Sequence, residues 1–286
     1  MNPNSLERLK GLVNGDREPE NGMERHFLKV IKGDGLACTP ELKEWYQCWT
    51  SLKDSTHSQS QLLASKSVVI LANSTKIDPG RCIAGIEYLE AGNWIRPISN
   101  EHIGQLYPDQ TILDDGLQPF LLDIVEIPLL KKVDSPMQPE NWHIDSTRTW
   151  KRHPDKKCSQ EYLLTMIEEP DNLWLQSEIE ADRVSSEYLQ ENLPSQSLYL
   201  IKINDVALIK YKNCSQKDKV RANFSYHGIN YSLNVTDPNV HNILKDSTVV
   251  KINKAVACIS LAHKYFNSYA KEFQHFKLVA SIILID

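Results

Sequence analysis

No run of about 18 consecutive apolar residues occurs in this 286-residue chain, so no membrane-spanning helix is expected. The nearest approach, "LVASIILI" close to the end, has the length of a strand. The first residues lack the basic-then-apolar order of a secretion signal. Six cysteines (Cys38, Cys48, Cys82, Cys158, Cys214 and Cys258) lie far apart and form no C-x-x-C pair. Free thiols in a reducing, cytoplasmic setting follow from that usage. Nucleotide-binding and hydrolase signatures are also missing: no Walker loop, no G-x-G-x-x-G, no G-x-S-x-G, no H-E-x-x-H. His102, His143 and His153 are scattered, and none stands at zinc spacing from a cysteine. A metal site from His26, Cys38 and Cys48 is disfavoured because Cys48 falls on the apolar side of its helix. No cofactor, no metal and no catalytic activity are therefore expected. Asp109, Asp114 and Asp115 in "YPDQTILDDG" leave open a cation-dependent nuclease, against the simpler reading of a capped surface loop.

What is present is an ordinary soluble composition, 41% apolar and 24% charged, with material for two or three compact units. The net charge of −5 is unevenly spread. Residues 1–66 are neutral, 67–134 carry −5, 135–200 carry −6, and 201–286 carry +6, with twelve Lys and Arg against six Asp and Glu. A basic last third beside an acidic middle either orients a polyanion or pairs internally.

The chain opens on a repeat with a period of 18 residues: Leu9, Phe27 and Trp45; Val13, Ile31 and Trp49; Gly15-Asp16 and Gly33-Asp34. Asn4 with Glu7 and Asn21 with Glu24 have capping-box spacing, and Thr39-Pro40 starts a third unit. Each helix is too short to be stable alone, so residues 1–51 are expected to form a three-helix module around one small core. The Ser/Gln-rich residues 52–66 are expected to be a linker. From Ser67 the pattern changes to short strands joined by turn signals, among them Ala91-Gly92-Asn93, Asn204-Asp205 and His227-Gly228. Two sets of about five strands predict a mainly β (α+β) protein with two small OB-like Greek-key barrels, at 67–134 and 197–286. Between them, 135–196 is expected to be an irregular insertion with helices near 159–168 and 178–191.

Two blocks carry family resemblances. "LVNGDREP", "ERHFLKVIKGD" and "TPELKEWYQCW", within about residues 5–50, resemble the proteobacterial macrodomain-organising proteins, which implies a DNA context. "GRCIAGIEYLEAGNWIRPIS" with the closing "ISLAHKY…FKLVASII" resembles a bacterial dual OB-containing domain over roughly residues 67–286. That fold implies binding of nucleic acid or another polymer.

The residues nominated for such binding are cations beside aromatics, because rings stack on bases while cations meet phosphate. Trp94 and Arg96 alternate onto one strand face, and a wet face there would hold a single strand. The competing reading has Trp94 filling the barrel and Arg96 pairing with a carboxylate such as Glu87. Lys76 and Arg81 flank the Asp78-Pro79-Gly80 turn. Trp150, Lys151 and Arg152 open the densest basic cluster, "TWKRHPDKK". Lys210, Lys212 and Arg221 belong to a basic, aromatic hairpin region. The expected function is non-enzymatic binding of single-stranded or structured DNA or RNA, as an accessory of a DNA-maintenance or defence system. The alternative is a protein–protein adaptor without nucleic acid. Expected partners are nucleic acid and a protein docking through the helical module, with no membrane.

Overall fold

The structure, a computed structural model, describes residues 8, 12, 17–31, 39, 42, 45–46, 64–76, 79–90, 92–100, 104–177, 181–213 and 215–285. The chain divides into two compact units, Met1–Leu62 and Leu63–Asp286. In the first, helix α1 spans Gly22–Ile31. Asn21 caps it, its Oδ1 accepting from the Glu24 N–H at 2.9 Å. The Glu24 carboxylate does not reach back to Asn21, as a capping box requires. It accepts from the Glu20 N–H at 2.7 Å and from Arg8 Nε at 2.5 Å. Thr39 accepts from Leu42 N at 3.2 Å, as expected of a cap. Leu12, Phe27, Val30 and Leu42 are buried, and the Phe27 and Trp45 rings meet edge-on at 5.6 Å. The remainder of the expected three-helix module, with the repeated Gly15-Asp16 and Gly33-Asp34, lies outside the described residues. So does the expected linker as far as residue 63; residues 64–66 already belong to a strand.

The second unit is built from strands β1 (Ala64–Thr75), β2 (Arg81–Glu87), β3 (Trp94–Ile98), β4 (Asp123–Lys132), β5 (Asn141–Ile144) and β6 (Lys151–Lys157), helix α2 (Gln160–Thr165), strand β7 (Arg183–Ser185), helix α3 (Ser186–Glu191), strands β8 (Leu198–Lys212), β9 (Asp218–Tyr226) and β10 (Ile229–Val235), helix α4 (Val240–Leu244), and strands β11 (Val249–Asn267) and β12 (Glu272–Leu284). The first sheet runs β1-β2-β3-β5-β4 and closes through β1–β4, with β6 added on β4. The second runs β10-β9-β8-β11-β12 and closes through β10–β12, with β7 added on β12. Each is thus a closed five-stranded barrel, its third and fifth strands joined in parallel and its other pairs antiparallel. The chain is mainly β, with two OB-like barrels and few helices.

Three differences from the sequence reading have physical reasons. The first barrel does not end at 134, because β5, inside the supposed insertion, pairs in parallel with β3 and completes the closure. Asn204-Asp205 is not a hairpin turn. β8 continues through it with Asp205 at φ 51°, held in register by β11 on both sides. The apolar runs "VVKI" and "AVACISL", which Asn253-Lys254 separates in the sequence as if they were two strands, likewise fuse into one long strand, β11. His227-Gly228 does make the expected two-residue hairpin, with φ of 49° and 80° as such a turn demands.

Strand alternation sorts apolar side chains into three layers. Val68, Ile70, Ile83, Ile95, Val125, Ile127 and Trp150 fill the first barrel. Ile201, Val206, Ala222, Leu233, Ala257 and Val279 fill the second. The third layer lies between the barrels: Val69, Leu71, Ala84, Ile86, Trp94 and Ile124 from one, Leu198, Leu200, Val256, Cys258, Ala280 and Ile283 from the other, with Leu163 and Met166 at the side. Each fully buried aliphatic side chain contributes about 1.5–3 kcal/mol, so this layer joins the two barrels into one body of structure. Gly85 belongs to the same design: a Cβ there would stand 1.9 Å from the Val69 carbonyl oxygen, so the close β1–β2 approach requires glycine.

Candidate functional site

The alternation argument for Trp94 and Arg96 holds, but the face they share is dry. Trp94 is 4% exposed and Arg96 5%. The outer face of β2 and β3, which in an open OB barrel would be offered to a ligand, is covered by the second barrel. Neither half of the competing reading describes them. Trp94 lies between the barrels and donates from Nε1 to Glu168 Oε2 at 3.1 Å. Arg96 reaches the second barrel, donating from Nη2 to the Ser197 carbonyl at 3.4 Å and to Ser260 Oγ at 3.3 Å. Glu87 is held instead by Lys66 at 2.6 Å. Sequence could not show this, because a covered outer face and a wet one have the same period.

The other nominated residues do not converge. Trp150 is buried in the first barrel's interior, which removes it as a stacking platform. Arg152 is pinned by Asp115 at 2.8 Å, by the fully buried Asp123, and by the Gln118 carbonyl at 3.2 Å, with its guanidinium over the Phe120 ring. Its guanidinium is thus engaged within the first barrel. The hydrogen bond from the Leu117 N–H, and after it the one from Arg152, hold the Asp115 carboxyl below the usual range. Lys151 is exposed on β6. Arg81 is half-buried and donates to Thr75 Oγ1 at 2.7 Å. Lys212 is exposed and paired with Asp218 at 2.9 Å. Lys210 is half-buried. Arg221 donates to the Ser232 carbonyl at 2.9 Å, lies 3.7 Å from Asp182, and stacks over Tyr211. Asp78 lies outside the described residues.

On the second barrel the corresponding face is open. Along β9 and β10, Val220, Ala222, Phe224, Tyr231 and Leu233 turn inward, so Arg221, Asn223, Ser225, Asn230 and Ser232 line the outside. Asn204, Asp205, Asn223, Ser225, Asn230 and Ser232 edge a shallow groove that Phe224 and Tyr231 also line. The hairpin between the barrel's fourth and fifth strands, β11 and β12, ends in a cluster that sequence reasoning missed. Tyr269 is 97% exposed, Phe266 56% and Phe273 49%. Phe266 and Phe273 meet edge-on at 5.3 Å, and Lys264 Nζ stands 5.2 Å from the Phe273 ring centre. Below them Tyr265 stacks on Phe276 at 4.2 Å. Asn267 sets the turn, its Oδ1 accepting from the N–H groups of Tyr269 and Ala270. The signal is "HKYFNSYAKEF", where rings and lysines interleave between the two halves of the closing strand signature.

A second feature lies between the barrels. A cavity of about 170 Å³ is lined by Lys76, Cys82, Ala84, Arg96 and Ile98 of the first barrel and by Leu198, Thr236, Ser260, His263 and Leu278 of the second. The loop from β1 to β2 carries Lys76, and Thr75 N–H donates across the seam to the Thr236 carbonyl at 2.9 Å. Burial, the largest effect, lowers the Lys76 pKa; Cys82 opposes it, and the nearby Arg96 charge adds a smaller lowering.

Two closed five-stranded barrels packed against each other, with the outer face of β2 and β3 covered and that of β9 and β10 open, define a tandem OB protein. The family model for the dual OB-containing domain matches residues 66–282, and the chain belongs to that family. The match starts at residue 66, so the likeness drawn for residues 5–50 to macrodomain-organising proteins receives no support from it. A search of curated proteins finds no match. No helix among the described residues is long and apolar enough to cross a membrane.

Proposed function

We propose that the protein binds single-stranded or structured nucleic acid without altering it chemically, and that the second barrel does the binding. The observation that carries this reading is the β11–β12 hairpin tip, where Phe266, Tyr269 and Phe273 stand in solvent beside Lys264. Exposing three rings on one hairpin is costly unless something stacks on them, and bases stack on aromatic side chains without regard to sequence. In an OB barrel the loop between the fourth and fifth strands borders the ligand face. The open outer face of β9 and β10 adds amide and hydroxyl groups, with Arg221 at one end. The +6 charge of residues 201–286 favours a polyanion there.

Lys151 and Lys210 remain candidate phosphate contacts in this reading, whereas Trp94, Arg96, Trp150 and Arg152 do not. The helical segment at the start of the chain would dock a protein partner, placing the binding body within a DNA-maintenance or defence assembly. One observation favours the adaptor alternative: Lys212 and Arg221 are already engaged by Asp218 and Asp182, which weakens the field offered to a polyanion.

Fluorescence anisotropy of the full chain with labelled single-stranded DNA and RNA, at low and moderate salt, separates the two. Binding that weakens steeply with salt supports the proposal. No binding of either probe at concentrations up to roughly 50 μM, within the usual non-specific range, overturns it.

A further inference from the structure

We propose that the cavity between the barrels is a binding site for a small organic or inorganic oxyanion, held by Arg96 and Lys76. The site is independent of the nucleic-acid reading, since it lies on the covered face of the first barrel and not on the open face of the second.

Arg96 carries the argument. Its guanidinium is buried, yet among the described residues no carboxylate stands within 4.0 Å of it. Two long hydrogen bonds occupy Nη2, and Nη1 has no partner. Burying a cation without a counter-charge is costly by several kcal/mol, and structures tolerate it where a ligand completes the pairing. The carboxylate of Glu140 makes no ion-pair contact with the guanidinium and faces Ser197 instead. Both its oxygens are taken by Ser197, through the backbone N–H and through the hydroxyl at 2.8 Å. Lys76 brings a second positive group to the same cavity. Among the described lining residues there is no Asp or Glu. Ser74, Thr236, Ser260, Gln138 and His263 add neutral polar groups to the wall, and Ala84, Leu198 and Leu278 add apolar surface.

The dimensions select the ligand class. A cavity of about 150 Å³ holds a benzene-sized molecule, so 170 Å³ admits a phosphate or a compact carboxylate and excludes a polymer. A guanidinium and an ammonium bind both oxyanions through charge-assisted hydrogen bonds. With the second barrel packed over the outer face of β2 and β3, what is left between the barrels is a small, partly open cavity of the size of a small anion.

The test is isothermal titration of the full chain with inorganic phosphate, and separately with acetate and benzoate, at an ionic strength fixed with chloride. Saturable one-to-one binding of phosphate alone assigns a phosphoryl ligand, and binding of a carboxylate assigns that class instead. In either case Lys76→Gln should weaken binding by about ten-fold, the order expected for one charge-assisted hydrogen bond. Arg96→Lys should do the same if circular dichroism shows it folded. Tyr269→Ala, on the distant hairpin, should leave small-anion affinity unchanged while affecting nucleic acid. The proposal is overturned by the absence of saturable binding of all three anions up to about 10 mM, the weak end of specific binding. It is equally overturned by binding that Lys76→Gln leaves intact.

Discussion

The indole N–H of Trp94 and the backbone N–H of Leu200 meet on one oxygen, Glu168 Oε2, at 3.1 and 2.9 Å. The Glu168 N–H in turn donates to the Leu200 carbonyl at 2.7 Å. The early part of β8 pairs with β11 along one edge, and β9 joins its other edge only from Ala207 onward. Glu168 therefore caps an otherwise open strand edge and ties it to a tryptophan of the other barrel. Replacing Glu168 with Ala leaves an indole and a backbone donor without an acceptor in a largely dry seam, each costing about 1–3 kcal/mol. Urea unfolding should show a loss of that order, and Glu168→Gln, which keeps one acceptor oxygen, should lose less. An unchanged midpoint for Glu168→Ala would mean that the seam does not depend on this contact.

Arg152 illustrates a cation whose role the sequence disguised. Asp123 is fully buried, and Arg152 is its closest ion-pair partner, with Lys157 only at 4.0 Å. Removing one member of a buried pair typically costs about 3–5 kcal/mol because the other charge is left uncompensated. Arg152→Ala should therefore unfold at markedly lower denaturant, while Lys151→Ala, one residue away and exposed, should leave stability within about 0.5 kcal/mol of the parent. If both variants retain nucleic-acid affinity while only the first loses stability, the basic cluster is a structural brace.

Lys277 gives a pH dependence with a definite sign. It lies inside the second barrel, 1% exposed, with Nζ 5.9 Å from the Tyr231 ring centre and no hydrogen-bond partner. Burial depresses its pKa from the usual 10.5 to about 8, partly opposed by the Asp182 carboxylate. The unfolded chain therefore holds this proton between pH 8 and 10.5 while the folded chain releases it, and in that window stability rises with pH. Below pH 8 both states are protonated and the folded state carries the full penalty, on the order of 3 kcal/mol. Lys277→Met should be more stable than the parent at pH 7, and the difference should shrink on going to pH 10. A difference that stays constant across that range would show that the ammonium is not desolvated in the folded protein.

The strand pattern exposed the architecture because alternation is local. Val68 and Ile70 against Val69 and Leu71 announce a strand with two apolar faces. Such a strand either lies in a sandwich or, as here, serves a barrel interior and a second buried layer at once. Which neighbour covers the outer face is not local. It is decided by Ser197, Ser260 and Leu200, more than 100 residues from Trp94 and Arg96, and no periodicity encodes that. The same limit explains β5. Four residues, "NWHI", flanked by prolines and acids, carry too little pattern to announce a strand, and only pairing with β3 makes them one. The hairpin tip was illegible for a different reason: its interleaved rings and lysines are plain in the sequence, but they continue an alternating strand pattern, and alternation does not tell an exposed ring from a buried one.

That exposure supports the last prediction. Tyr269 is almost wholly in solvent, and its ring is in none of the aromatic stacks of the hairpin, so Tyr269→Ala should leave thermal stability unchanged. If a base stacks on it, affinity for single-stranded probes should fall by the equivalent of about 1–3 kcal/mol, roughly five- to more than a hundred-fold. Lys264→Gln should act differently. It removes a cation from the same tip and should lower the slope of log affinity against log salt by about one, the signature of one lost phosphate contact. Lys212→Gln should change neither quantity much, because Asp218 already neutralises that charge. A Tyr269→Ala variant that binds as the parent does, with Lys264→Gln retaining the full salt slope, would move the interface off this hairpin and onto the open face of β9 and β10.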